Sequence, residues 1–140
     1  MTIRPSLEEV FRPRGIAVVG VSDKNPESYA AEAVRCLQEA GFPKIFPINP
    51  HYAEFSGLPC YSSLRAVPET VDHVICCLPS DQALSVIADA AAKGVRSVHF
   101  FTAGFSESGD AARTELEKEL IRRAGEAGIR IIGPNCMGIY

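Results

Sequence analysis

Gly15-Ile-Ala-Val-Val-Gly-Val-Ser-Asp-Lys-Asn-Pro26 decides the fold of this chain. The apolar run Gly15–Gly20 lacks polar alternation, so it reads as a strand buried on both faces. Gly20 makes a tight turn out of that strand. Asn25 is placed to cap the next helix, and Pro26 suits its first position. The helix itself, 28–40, carries Ala30, Ala33, Val34 and Leu37 at helical spacing, with Gly41 to end it. A buried strand, a glycine turn and an amphipathic helix are the opening of a parallel α/β unit.

The same alternation continues to the end of the chain. Lys44-Ile-Phe-Pro-Ile48 is a second strand, with Pro47 pointing to an early exit into a loop. The stretch 49–66 holds Pro50, Gly57 and Pro59 and reads as an irregular loop with one helical turn. Asp72–Leu78 is a third strand. Ser80 is a plausible N-cap for a helix reaching Lys93, with Leu84, Ile87, Ala88 and Ala91 on one face and Gly94 after it. Val95–Thr102 is a fourth strand, and Ile129–Ile132 a fifth. Between them Asp110–Ala127 is a helix with Leu116, Leu120, Ile121 and Ala124 inward, and with Glu119 and Arg123 paired one turn apart. The pattern predicts a doubly wound parallel sheet of about five strands with helices on both faces and right-handed crossovers.

Composition narrows the function. The chain has 140 residues, 46% hydrophobic and 22% charged, which suits one globular domain and argues against disorder or a coiled coil. Net charge is −3 with scattered Lys and Arg, so nothing advertises nucleic acid. No apolar run approaches the roughly 20 residues of a membrane span, and Met1–Arg14 lacks the apolar core of a signal peptide. Five cysteines (Cys36, Cys60, Cys76, Cys77, Cys136) form an odd set without metal spacing, as expected of a reduced, cytoplasmic compartment.

In an open parallel sheet, ligands bind beyond the carboxyl ends of the strands. The loops there are rich in Gly, Pro, Ser, Thr and Asn and poor in acid–base residues, which suggests a binding crevice more than a catalytic one. Backbone N–H groups of the first loop, with Ser22, suit a phosphate at a helix N-terminus; an ordinary strand-to-helix turn fits the same residues. The loop departs from the dinucleotide fingerprint G-x-G-x-x-G, because Gly20 is followed by Ser22 and Asn25. The second strand ends in Asn49, not in the acidic residue that holds the ribose hydroxyls of NAD. Both departures favour a nucleotide that carries phosphate on its ribose.

His51 is either an exposed loop histidine or a phosphate contact when protonated. His73 and His99 lie in strands and are expected to be structural, with His73 and Cys76 on opposite faces. Cys136 has no His–acid arrangement beside it in sequence, and Cys76 and Cys77 read as core. Arg12 and Arg14 read as a solvated edge, with attraction of phosphates as the alternative, and 115–123 as a solvated helix face.

Phe11-Arg-Pro-Arg-Gly-Ile-Ala-Val-Val-Gly-Val-Ser-Asp23, Phe46-Pro-Ile-Asn-Pro50, Gly57-Leu-Pro-Cys-Tyr61, Thr102-Ala-Gly-Phe105 and Gly133-Pro-Asn-Cys-Met-Gly138 resemble the CoA-binding domain of NDP-forming acyl-CoA synthetases. That group is related to the α subunit of succinyl-CoA synthetase. The resemblance runs from about Leu7 to Tyr140 and implies a Rossmann-like fold that binds coenzyme A. It implies that residues 1–140 are the N-terminal part of a longer ADP-forming acid–CoA ligase, with phosphohistidine and ATP-grasp domains as partners. Val21, Ser22, Asp23, Lys24 and Asn25 match the turn that meets the CoA phosphates. Asn49, Pro50, His51 and Tyr52 match the stretch near the adenosine end. Leu78, Pro79 and Ser80 match the loop beside nucleotide and pantetheine, and Phe101, Thr102, Ala103 and Gly104 the next loop. Gly133, Pro134, Asn135 and Cys136 match the segment near the reactive thiol.

Two departures predict weaker CoA affinity than in a typical relative. Many relatives carry glycines where this chain has Asp23-Lys24-Asn25-Pro26-Glu27, and many carry Lys where it has His51. A free-standing CoA-binding regulatory module and an NAD(P)-binding redox module are the alternatives. The sequence leaves open the acyl substrate and whether the chain pairs with a second copy.

Overall fold

A computed structural model of the chain describes residues 3–138. It opens with a short helix, α1 (Leu7–Phe11), closed at its start by a reciprocal pair: Ser6 Oγ accepts from Glu9 N–H, and the Glu9 carboxylate accepts from Ser6 N–H. Then follow β1 (Ile16–Val19), α2 (Tyr29–Glu39), β2 (Ile45–Ile48), a small hairpin of β3 (Glu54–Phe55) and β4 (Leu58–Pro59), and β5 (His73–Cys76). The chain continues with α3 (Ala83–Lys93), β6 (Ser97–Phe100), α4 (Ala111–Glu126) and β7 (Arg130–Ile132). The five-stranded sheet has the order β2-β1-β5-β6-β7, and every pair is parallel. This is the expected doubly wound, Rossmann-like architecture.

Successive strand residues face opposite sides, and each side meets a different helix. Ala17, Val19, Val74, Cys76, Val98 and Phe100 pack with α3 and α4 through Val86, Ile87, Ala90, Leu120 and Ala124. Val18, Ile45, Ile75 and Cys77 pack with α2 through Ala30 and Val34. His73 and Cys76 therefore do lie on opposite faces. Ile121 corrects the expected inward set: it is 52% exposed, because the contact stripe of α4 runs through Leu120 and Ala124.

Pro47 sits inside β2 and does not end it. The reason is the edge position of β2. Phe46 and Ile48 turn their backbone toward β1, while Pro47 turns outward, where its carbonyl accepts from Tyr61 N–H at 3.0 Å. The missing N–H faces away from the β1 ladder, so no sheet bond is lost. The expected irregular loop contains the β3–β4 hairpin, turned by Ser56 and Gly57 at φ 51° and 74°. Two successive positive-φ residues make the tight turn that matches strand twist.

The amino ends of the strands are tied by one carboxylate. Buried Asp72 accepts from Arg14 N–H, Nε and Nη2 at 2.9, 2.8 and 2.9 Å, and Arg96 Nε lies 3.6 Å away. Arg96 also pairs with Glu9, which fastens α1 to the sheet. Arg14 is exposed, as expected of a solvated edge, yet it also serves Asp72, at the end of the sheet opposite the candidate loops.

Hydrogen bonds from Arg14 hold the Asp72 carboxyl below its ordinary 3.8. A depressed folded-state pKa contributes stability above the unfolded value that is lost as pH falls through the folded one. Asp72→Asn is expected to cost about 2 kcal/mol at neutral pH and to remove the stability loss seen below about pH 4. Urea titrations of both proteins against pH check this.

His73 shows the opposite chemistry. Its Nδ1 lies 2.7 Å from Ser97 Oγ, and burial, helped by nearby His99, pushes its pKa down from 6.5 to about 4. The unfolded chain takes up this proton first as pH falls, so folding weakens between pH 6.5 and about 4. The expected loss is about 3 kcal/mol, and His73→Gln should flatten that part of the profile.

Candidate functional site

The chain leaves β1 toward β2 on one side and returns to β5 on the other, so the topological switch lies between the carboxyl ends of β1 and β5. A cavity of about 220 Å³ opens there. Gly20, Asn49, Pro50 and Leu78 line it from the strand ends; Ser63, Gln82 and Ser85 line it from the crossover and α3. Gly20 has φ +100°, and a Cβ on it would come within 3.1 Å of the Cys77 backbone. Only glycine brings the β1 and β5 ends this close. Asp89, the acidic residue lining the cavity, is neutralised by Arg65 Nε at 2.7 Å.

Asn49 organises the floor. Its Nδ2 donates to Val21 O at 2.7 Å, and its Oδ1 accepts from His51 N–H at 2.8 Å. One neutral amide thereby fixes both loops that flank the cavity, a task that needs a donor and an acceptor together. Val21 is fully buried and contributes its carbonyl to this tie. The His51 side chain is exposed.

The first loop departs from expectation. Ser28, not Asn25, caps α2: its Oγ accepts from Ala31 N–H, and the helix starts at Tyr29. Asn25 and Pro26 belong to exposed turns before it, with Asn25 O accepting from Ser28 N–H. Ser22 Oγ accepts from Lys24 N–H and lies 3.4 Å from the Tyr52 hydroxyl, which joins this loop to the one after β2. Asp23, Lys24 and Asn25 are exposed; Ser22 and Asp23 border a second hollow with Arg35 and Phe55.

Ser80 is also reassigned. The segment Ser80–Gln82 forms a single 3-10 turn ahead of α3, and the Ser80 hydroxyl caps nothing. It is buried and accepts from Arg113 Nη1 at 2.5 Å. Leu78 is half-buried in the cavity wall and Pro79 is exposed. Thr102 Oγ1 donates to Leu78 O at 2.6 Å, locking the loops after β5 and β6 together.

Next along the rim, Phe101 stacks on Tyr29 with ring centroids 3.9 Å apart. Ala103 is exposed, and Gly104 has φ +91°. Tyr29 Oη donates to Met137 O at 2.6 Å, and Cys136 O lies 2.5 Å from His99 Nε2, so 135–138 is strapped beside the loop after β6. Exposed Asn135 and half-buried Cys136 sit in this strap. Burial pushes the Cys77 thiol up to about 12 and Cys76 also upward, so neither is a thiolate at neutral pH.

Asn49, Pro50 and Leu78 therefore meet in one cavity, Ser22 and Tyr52 meet beside it, and Phe101 and Cys136 lie around Tyr29. Sequence reasoning passed over Ser63, Gln82, Ser85 and Arg113. The first three sit on the crossover and the first turns of α3, where polar side chains look like ordinary surface. No group of three or more His, Cys, Asp or Glu that could hold a metal occurs among the described residues. No helix among them is long and apolar enough to cross a membrane.

A parallel sheet with a glycine-lined, electrostatically neutral crevice at its switch point places the chain in the Rossmann-like α/β class. More narrowly, it belongs to the CoA binding domain family, whose model matches residues 14–140. It is 39% identical over 133 residues to the acetate–CoA ligase [ADP-forming] II subunit alpha of Pyrococcus furiosus, covering 95% of this chain and 29% of that protein. A dinucleotide-forming acetyl-coenzyme A synthetase 1 of Ca. Korarchaeum cryptofilum, solved with phosphate and ADP, superposes with TM-score 0.86 at 43% identity, over 93% of this chain and 27% of that one. The chain thus spans less than a third of either protein. A hypothetical protein of Pyrococcus horikoshii superposes with TM-score 0.74 at 28% identity, over 94% of this chain and 83% of that one.

Proposed function

We propose that this chain is the CoA-holding, N-terminal domain of an ADP-forming acyl-CoA ligase, located in the cytoplasm. The observation that carries the reading is the neutral cavity at the β1–β5 switch point, in a chain whose family model spans nearly all of it. A relative named as an ADP-forming acetate–CoA ligase subunit supports this reading; the reaction proposed for the parent enzyme joins an acid and coenzyme A at the expense of ATP, giving an acyl-CoA, ADP and phosphate. Phosphohistidine and ATP-grasp partners, in the same chain or another, would perform the phosphate steps.

The role of these residues is to hold and aim. Coenzyme A supplies its own thiol, so the domain needs no nucleophile. Asn49 and Pro50 hold the adenosine end, with Gly20 leaving room for it. The 21–25 turn meets the phosphates, with Lys24 as its cation. Leu78, Pro79 and Ser80 lie beside the nucleotide and the start of the pantetheine arm, with Phe101, Thr102, Ala103 and Gly104 next along. Asn135 and Cys136 border the thiol end. The rim fits this ligand because Asp89 is paired and Asn49 replaces a carboxylate.

A second reading, a free-standing CoA-binding regulator, draws support from the Pyrococcus horikoshii protein, which this chain covers to 83%. Calorimetric titration of the chain with coenzyme A, NADH and NADPH tests what both readings share. Saturable, one-to-one binding of coenzyme A alone is expected. Binding of NADH or NADPH with none of coenzyme A overturns both.

A further inference from the structure

Arg113 lies in the first turn of α4, where the helix dipole disfavours a cation. Among the described residues it has no carboxylate partner. Asp110, the helix cap, spends its side chain on the N–H groups of Ala112 and Arg113. Glu117, one turn on, accepts from Ser106 N–H at 2.9 Å instead of pairing with Arg113. Glu107 is taken by the N–H groups of Gly104 and Phe105. Asp81, next to Ser80, is exposed, and among the described residues no ion pair joins it to Arg113.

What Arg113 does hold is Ser80, with Nη1 2.5 Å from its Oγ. That hydroxyl is buried, with 7% residue exposure, and stands at the carboxyl end of β5. Gly104 allows the approach from above, since a Cβ there would come within 3.2 Å of Ser80 Oγ. A half-buried guanidinium is thus held by one neutral contact against the loop after β5, whose Leu78 and Gln82 line the crevice. Its remaining donors meet no hydrogen-bond acceptor among the described residues, in a fork suited to phosphate. The other arginines without a carboxylate, Arg4 and Arg130, border a hollow near β7, and Arg130 donates to Pro5 O.

The geometry points to Arg113 as an anion-recognising residue of the crevice, contacting a phosphate at the nucleotide end of the ligand. This rests on the CoA-holding reading above. It adds a second cation, carried by the first turn of α4 and held against the loop after β5, to Lys24 on the loop after β1. A phosphate contact restores to Arg113 the negative partner that the fold withholds.

Titration of wild type, Arg113→Gln and Arg113→Lys with coenzyme A and 3′-dephospho-coenzyme A tests the inference, with the melting temperature of each ligand-free protein recorded alongside. Arg113→Gln is expected to bind coenzyme A at least about 10-fold more weakly, and Arg113→Lys to recover part of the loss. A loss confined to coenzyme A assigns the 3′-phosphate; an equal loss with both ligands assigns the pyrophosphate. Either supports the inference. Unchanged affinity in Arg113→Gln overturns it, and a lowered melting temperature alone then marks Arg113 as a purely structural tie. If Arg113→Gln does not fold, wild-type affinity for both ligands that is insensitive to salt overturns the inference just as surely. Wild type that binds neither ligand overturns the CoA-holding reading itself.

Discussion

Asn49→Asp is expected to weaken coenzyme A binding about 100-fold. The substitution keeps the acceptor for His51 N–H but removes the donor that holds Val21 O at 2.7 Å. A carboxylate would then face a carbonyl, and the β1 loop would lose its anchor. The new charge also lies in a cavity meant for an anionic nucleotide; at an effective dielectric of about 20, two like charges about 6 Å apart repel by nearly 3 kcal/mol. Asn49→Ala separates the two causes, since it loses the tie without adding charge, and a loss of about 10-fold is expected. No gain in NADH affinity should follow Asn49→Asp, because the β1 loop still lacks the glycines that admit a pyrophosphate closely. Calorimetry of the variants checks each value. Equal affinity of Asn49→Asp and wild type would place the nucleotide end elsewhere.

Gly15→Ala is expected to be the most destabilising single methyl in the domain. A Cβ at Gly15 would stand 2.3 Å from Thr70 O and 2.9 Å from the Phe46 ring. Thr70 O is backbone, at the entry to β5, and Phe46 is core, so neither can step aside cheaply. A cost of at least about 3 kcal/mol and a melting point lower by about 10 °C follow. Gly41 is the control: its φ is +72° but its Cβ would meet nothing within 4 Å, so Gly41→Ala should cost only about 1 kcal/mol of backbone strain. Chemical denaturation of both variants checks the ranking, and a loss under 1 kcal/mol for Gly15→Ala would contradict it.

The strands and long helices were legible because burial on both faces and helical spacing leave large, redundant patterns. The hairpin was not, since strands of two residues carry no period. Its signal was Ser56-Gly57 alone. Pro47 misled because edge position is a property of the whole sheet, invisible in a local window. The cap at Ser28 shows the limit of capping rules: Asn25 and Ser28 both stand near the start of α2, and the pattern alone picks Asn25. Asp110, where the sequence starts the last helix, is its cap. Ser80 does not serve as the expected cap, because its hydroxyl is taken by Arg113, 33 positions away in sequence. Arg14 looked like free surface because Asp72, which it serves, is 58 positions distant. Asn49 was noticed for its neutrality; its tie to Val21 needed the structure.

Amide hydrogen exchange with and without saturating coenzyme A tests most directly whether the ligand lies across the carboxyl ends of the strands. Slowed exchange is expected at residues 20–25, 49–52, 78–80 and 101–104 and in the first turn of α4, with α1 and the amino ends of the strands unchanged. Protection confined to α1 and the Arg14–Asp72 end, or none anywhere at saturation, would contradict the assignment.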